Sequence, residues 1–395
     1  MTTSAATPID VLGPLDRSVD WPRLAAEHWD RRPVLLRPGR GAGPGRGAAP
    51  FDPNEVFEGA VAAAQHATAG ADDRVLFTVG PRRLTEPGDL LPRPEDGSFA
   101  AYDRRLETRL GDTDFALVVR ELHAGHHPLW IRERDFLAGL WDEVGQPLAA
   151  IGTTLCHGTS APPRTTASHH RAATFLYTLH GRHRIHLTGP GDRRWAATTV
   201  PGDLLYWPAD HAYTVPAPYT ARSPGTAVHI SVPREPSYAF DPPYRASALA
   251  PADTLVPDGD PTDDLPATLP PVLSAALAHL RQESGPERLH RRLAREALRH
   301  ATDGGLRPVP PPTRPGYFTD DDAVRATERV LWAPVDRHRL VAACGHVTRT
   351  GLTARELSAL VGRLNGGEPL PVGELTPSAR RLVARLAGFR AVERL

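Results

Sequence analysis

Between Ala149 and Val232 the runs AAIGTTL, TFLYTLHG, HRIHLTG, DLLYW, YTV and AVHISV follow one another, separated by turns rich in Gly and Pro. Short segments of high strand propensity at such spacing bury their apolar sides by closing on themselves, so this region reads as an all-β barrel or jelly roll. Strand side chains alternate, which sets Phe175, Tyr177 and Leu179 on one face and Leu176 and Thr178 on the other.

The flanks read differently. Trp21 to His28 is a short helix leading into an extended VLL run, and Gly39 to Pro50 is a Gly/Pro/Arg-rich loop. Pro53 to Thr68 has helical spacing, VLFTV from Val75 and FALVVREL from Phe115 are strand-like, and Arg134 to Val144 is an amphipathic helix. Pro242 to Pro271 is a Pro/Asp/Ala-rich linker with little to bury. Two leucine stripes follow, Leu273/Leu277/Leu280 and Leu289/Leu293/Leu298, interrupted at Ser284-Gly285-Pro286. Paired amphipathic helices of this kind suit a homodimer. Beyond PVPPPTRPG, helical character is expected at Leu340–Cys344, Thr353–Leu364 and Ser378–Leu386, the pattern of a small winged-helix-like module. The expected division is a barrel domain over 1–240, a linker and helical dimerisation region over 241–312, and the C-terminal module over 313–395.

Charge narrows the partners. The 46 basic residues, every one an Arg, balance 46 Asp and Glu, so no global field favours nucleic acid or an anionic membrane. The helix Thr353–Leu364 carries only Arg355 and Arg363 against Glu356, without the basic face that phosphate binding needs. The two cysteines, Cys156 and Cys344, suggest neither a disulfide scaffold nor a thiolate zinc site, which fits a cytoplasmic protein. No signal peptide and no membrane span is expected from the sequence.

Four segments carry a resemblance to a known family: HWDRRPVLLR at His28–Arg37, LYTLHGRHRIHL at Leu176–Leu187, PGDLLYWPADHAY at Pro201–Tyr213 and AVHISV at Ala227–Val232. Together they resemble the JmjC/cupin-type 2-oxoglutarate oxygenases, in particular the ribosomal oxygenase branch. The resemblance implies an α+β protein: a double-stranded β-helix (cupin) core with flanking helices, a helical dimerisation region and a winged-helix-like domain. It implies Fe(II) and 2-oxoglutarate as cofactors, a protein or peptide side chain as the group hydroxylated or oxidised, and a homodimer. Nucleic acid is not an expected partner.

That family holds iron with a His-x-Asp/Glu pair and a distal His, leaving coordination positions open. Counting back from Gly181 sets the pair on Ser168 and His170; counting on from Gly202-Asp203 sets the distal position on Tyr213, with His211 two residues earlier. The cosubstrate cation, two residues after the Gly, becomes His183; Thr154 is the other expected cofactor-binding residue. The site is therefore either rebuilt, with His170, His211, His169 and His183 as candidate metal ligands, or metal-free. In the first case Tyr213 and Ser168 are pocket groups for catalysis. Slipping to His169 as first ligand turns the whole strand over and sets Arg171 where the acid belongs. In the second case the chain is a silent cupin-fold binding protein, or a non-redox enzyme using His170 and Tyr213 as acid and base. HAGHHP at His123–Pro128 reads as an exposed or inter-element loop, and His180 and His186 as strand-surface residues.

Overall fold

The computed structural model describes residues 7–15, 19–38, 50–67, 74–160, 172–214, 224–234, 286–335 and 338–395. The chain divides into two compact units, Met1–Glu235 with Gly304–Pro311, and Pro236–Asp303 with Pro312–Leu395.

The first unit contains β1 (Thr7–Pro8), β2 (Asp10–Leu15), α1 (Trp21–Glu27), β3 (Val34–Pro38), α2 (Pro53–His66), β4 (Val75–Val79) and β5 (Arg82–Leu84). Then come α3 (Phe99–Leu110), β6 (Phe115–Arg120), α4 (His127–Val144), β7 (Gly152–Gly158), β8 (Ala172–His180) and β9 (His183–Thr188). It closes with β10 (Arg194–Thr199), β11 (Leu204–Trp207), β12 (Ala212–Thr214) and β13 (Gly225–Pro233). One sheet runs β2-β3-β11-β8-β13-β7-β6-β4-β5, the other β1-β10-β9-β12. From β8 onward the chain alternates between them: β8, β11 and β13 lie in the large sheet, and β9, β10 and β12 in the small one. Neighbouring strands within this core are antiparallel. This interleaving is that of a double-stranded β-helix.

The two sheets share one apolar core of Leu35, Leu176, Ile185, Leu187, Ala197, Leu205, Trp207 and Ala227. The opposite face of the large sheet carries Phe175, which stacks on Trp29 (6.2 Å) and meets Trp21 edge-on (6.2 Å). Alternation along TFLYTL thus sorts its side chains as the sequence predicts. The N-terminal helices cover that outer face and are capped locally: the Asp20 and Asp52 carboxylates accept from the first-turn amides of α1 and α2.

In the second unit, α5 (Pro286–Asp303) precedes β14 (Ala323–Ala326), β15 (Leu331–Val335), β16 (His338–Ala343) and β17 (His346–Thr350). α6 (Ala354–Asn365), β18 (Leu370–Pro371), α7 (Pro377–Gly388) and β19 (Val392–Arg394) complete it. Leu298 of α5 packs on Val335, Leu340 and Ala342, whereas Leu293 is exposed. Leu273, Leu277 and Leu280 lie outside the described residues.

Two sequence expectations are corrected. Leu340–Cys344 is strand, not helix: Leu340 and Ala342 face Leu298, while Val341 and Ala343 are buried on the other side. A strand covered on both faces reads as an unbroken apolar run, which periodicity cannot tell from a short helix. Its end is fixed by Cys344-Gly345, both at positive φ (48° and 70°), a two-residue hairpin turn between Ala343 and His346. The helix expected at Arg134–Val144 starts earlier, at His127. HAGHHP links β6 to α4, the inter-element alternative of the sequence reading, and His123 within it is fully buried. Helix α3, which the sequence reading does not include, is capped by Ser98 and buries Phe99, Tyr102 and Leu106.

Candidate functional site

Register identifies the side chains that line the barrel. Leu176 pairs with Leu205 and with His229, and His229 pairs with Thr154. Cys156 pairs with Ala227, and Tyr213 with Leu187. Because Leu176, Leu205, Ala227 and Leu187 belong to the inner core, the inner face also carries Thr154, Cys156, Tyr213 and His229.

The centre of that face is aromatic. The Trp207 ring lies 5.3 Å from Tyr213 and 6.3 Å from His229, and Tyr213 lies 5.8 Å from His229. Trp207 is fully buried, and Tyr213 and Thr154 are partly exposed. Burial pushes the Tyr213 phenol above its ordinary range, and nearby Cys156 adds to the effect. Burial alone pushes the Cys156 thiol up to about 12. Both groups are therefore neutral near pH 7 in this structure.

One end of the inner face is closed by a polar layer. The Thr178 hydroxyl donates to Thr199 Oγ1 at 2.7 Å, and Thr199 donates to the His183 carbonyl at 3.4 Å. His183 is buried, and its Nε2–H donates to the His180 carbonyl at 3.1 Å. Desolvation lowers the His183 pKa, opposed by hydrogen bonds to the backbone of His180 and Thr226. The position that counts as the cosubstrate cation is thus a neutral imidazole bonded to its own hairpin.

His211 sits just before β12, buried, with its ring 5.0 Å from Trp195. Its Nδ1–H donates to Asp210 at 2.7 Å, and its Nε2 has no partner among the described residues. In that tautomer the Nε2 lone pair is available to a ligand. Ser168, His169 and His170 lie outside the described residues, as does Arg164. Among the described residues no group of three or more His, Cys, Asp or Glu is arranged to hold a metal.

Histidines elsewhere are absorbed by structure. His123 donates to Thr153 at 3.0 Å and lies 3.3 Å from Glu133, to which Thr153 also donates; all three are fully buried. His126 caps α4 by accepting from the Leu129 amide, and its other nitrogen donates to Glu58 at 2.9 Å. His157, on the outer face of β7, donates to Asp103 (2.8 Å) and accepts from Thr226 (2.9 Å) beneath Phe99 and Tyr102. His180 is exposed at the end of β8, and His186 is half-buried.

At the two described positions that the resemblance assigns to the distal ligand and the cosubstrate cation stand a phenol, Tyr213, and an imidazole, His183, neither of them the group that iron with 2-oxoglutarate takes in that family. The inner-face roles of Cys156 and His229, and of the Thr178–Thr199 pair, are absent from the sequence reading. Alternation from Leu176 and Ala227, taken across the paired strands, is the signal that would have found them.

No protein-family model matches the chain, and no curated protein matches it. Among solved structures it is similar to YcfD, a ribosomal oxygenase from Escherichia coli, at 15% identity over 96% of this chain and 99% of that one, with a TM-score of 0.48. A structure of YcfD in complex with cobalt and 2-oxoglutarate gives 17% identity, the same coverage and a TM-score of 0.46. An oxalate decarboxylase from Lactobacillus farciminis matches 22% of this chain and 25% of its own length, at 11% identity and a TM-score of 0.19. The strand order of the first unit is by itself consistent with a cupin/JmjC-like fold.

Proposed function

We propose that this chain is a divergent JmjC/cupin oxygenase-like protein of the ribosomal oxygenase type that binds a side chain of a protein or peptide at its barrel, without the iron and 2-oxoglutarate chemistry of that family. The observation that carries this reading is His183, buried, neutral and bonded to the backbone where the cosubstrate cation belongs. The neutral Tyr213 and the apolar core around Trp207 point the same way. The partly exposed Thr154 and Tyr213 are the groups that would meet the incoming side chain. A homodimer and a winged-helix role for the C-terminal unit belong to the same proposal, the first testable by sedimentation.

One observation favours a second reading, a rebuilt metal site: the buried Nε2 of His211 has no partner among the described residues. There His170, or His169 in the slipped register, would join His211 in holding the ion, with Ser168 and Tyr213 as neighbouring hydrogen-bonding groups and the metal supplying oxidative chemistry. Metal analysis separates the two. Protein purified from iron-replete cells should contain iron far below one equivalent, unchanged in His170→Ala and His211→Ala. Stoichiometric metal that either substitution removes would overturn the first reading.

A further inference from the structure

The second unit carries a cleft that no part of the barrel reading uses. The segment Thr313–Phe318 is fastened along α7 by the Thr313 amide donating to the Gly388 carbonyl (2.8 Å) and the Gly316 amide donating to the Ala384 carbonyl (2.9 Å). Gly316 permits this approach, since a Cβ there would press on Phe318 at 3.0 Å and Ala387 at 3.1 Å. The cleft beside it has a volume of about 270 Å³ and is lined by Tyr317, Phe318, Pro377, Arg380, Arg381 and Ala384.

Two features point to a ligand. Tyr317 is 85% exposed, a large aromatic ring held over the cleft by a tethered segment. Arg380 is already paired with Asp320 through Nη1. Arg381, bonded only to Ser378 Oγ at 2.9 Å among the described residues, is a guanidinium at the cleft whose charge is unmatched. An apolar floor, one stacking ring and one unmatched guanidinium fit an aromatic side chain beside a carboxylate, and Tyr and Arg are the residues that dominate such interfaces.

We propose that this cleft binds an acidic peptide segment of a partner protein that carries an aromatic residue within a few positions of a Glu or Asp. The ring lies between Tyr317 and Ala384, and the carboxylate bonds Arg381.

The test is fluorescence polarisation of the full chain with labelled, acetylated and amidated hexapeptides. In one set Phe is followed by Glu at the next, second or third position; in a second set Lys replaces Glu; in a third Ala replaces Phe. Saturable binding of at least one Phe–Glu peptide is expected, weakened about tenfold or more by Tyr317→Ala or Arg381→Glu and by either peptide replacement. The exposed control Arg355→Glu should leave it unchanged, and matched melting temperatures will show that the variants fold. Absence of binding across the Phe–Glu set would overturn the proposal, as would equal affinity for the Lys set or unchanged affinity in both cleft variants. Displacement by a short DNA duplex as effective as by unlabelled peptide would overturn it in favour of a phosphate site.

Discussion

The Nε2 of His183 stands 3.1 Å from the carbonyl oxygen of His180, so the imidazole closes the turn between β8 and β9. A side chain committed in this way is withdrawn from ligand chemistry. It also makes the protein sensitive to acid, because a buried imidazole favours its neutral form.

Both His28 and His183 have folded-state pKa values below the ordinary 6.5, with burial the leading cause in each. In the unfolded chain they protonate at the ordinary value. Stability from these groups is therefore complete above about pH 6.5 and is lost as pH falls through the lower folded-state values. The urea midpoint should drop between about pH 7.5 and pH 5.5. Both ring nitrogens of His28 are buried without a hydrogen-bond partner among the described residues, the nearest carboxylate being Glu27 at 3.8 Å from Nε2. His28→Phe should flatten that pH dependence without loss of stability at neutral pH; an unchanged slope would remove His28 from the account.

The Thr178–Thr199 pair closes the polar layer with a buried 2.7 Å hydrogen bond. Thr178→Val and Thr199→Val should each destabilise by about 1–2 kcal/mol, since each strands a buried partner. The double variant should cost less than the sum, because it leaves neither hydroxyl unpaired. Urea denaturation of the three variants reads this directly, and strict additivity would show that the pair is not coupled.

Gly158 on β7 has φ +151°, and a Cβ there would run into the carbonyl oxygen of Phe115 on the neighbouring strand β6. Gly158→Ala should destabilise by about 2 kcal/mol or more, through contact and backbone strain together. A melting temperature equal to wild type would contradict the close approach of β6 and β7.

Cys156 is buried on the inner face, with its thiol raised to about 12. Ellman's reagent should label it at least about a hundredfold more slowly in the native protein than in urea, since the thiolate is the reacting form. Fast native labelling would mean that solvent reaches the barrel interior beside Tyr213.

Much of the barrel was legible because its determinants are local. TFLYTL alternates, Gly and Pro mark the turns, and PGDLLYWP marks β11 as a strand. Tyr213 could be set on the inner face by counting alone. The environment of His183 could not be counted: burial lowers its pKa, against the opposing pull of backbone hydrogen bonds three and forty-three residues away in sequence, at His180 and Thr226. The burial of His123 could not be read for a related reason. Its turn composition suggests solvent, but Thr153 and Glu133 arrive from β7 and α4 to satisfy it. In the second unit, LVAAC carried no periodicity to separate a doubly covered strand from a helix.

The most direct test of the central claim is calorimetric titration of 2-oxoglutarate into the protein in the presence of excess Mn(II) or Co(II) and the absence of oxygen. Because His183 supplies no cation for the distal carboxylate, no saturable heat is expected up to about 1 mM ligand, and His183→Arg is the variant in which binding could appear. Stoichiometric, micromolar binding by the wild-type chain would contradict the account.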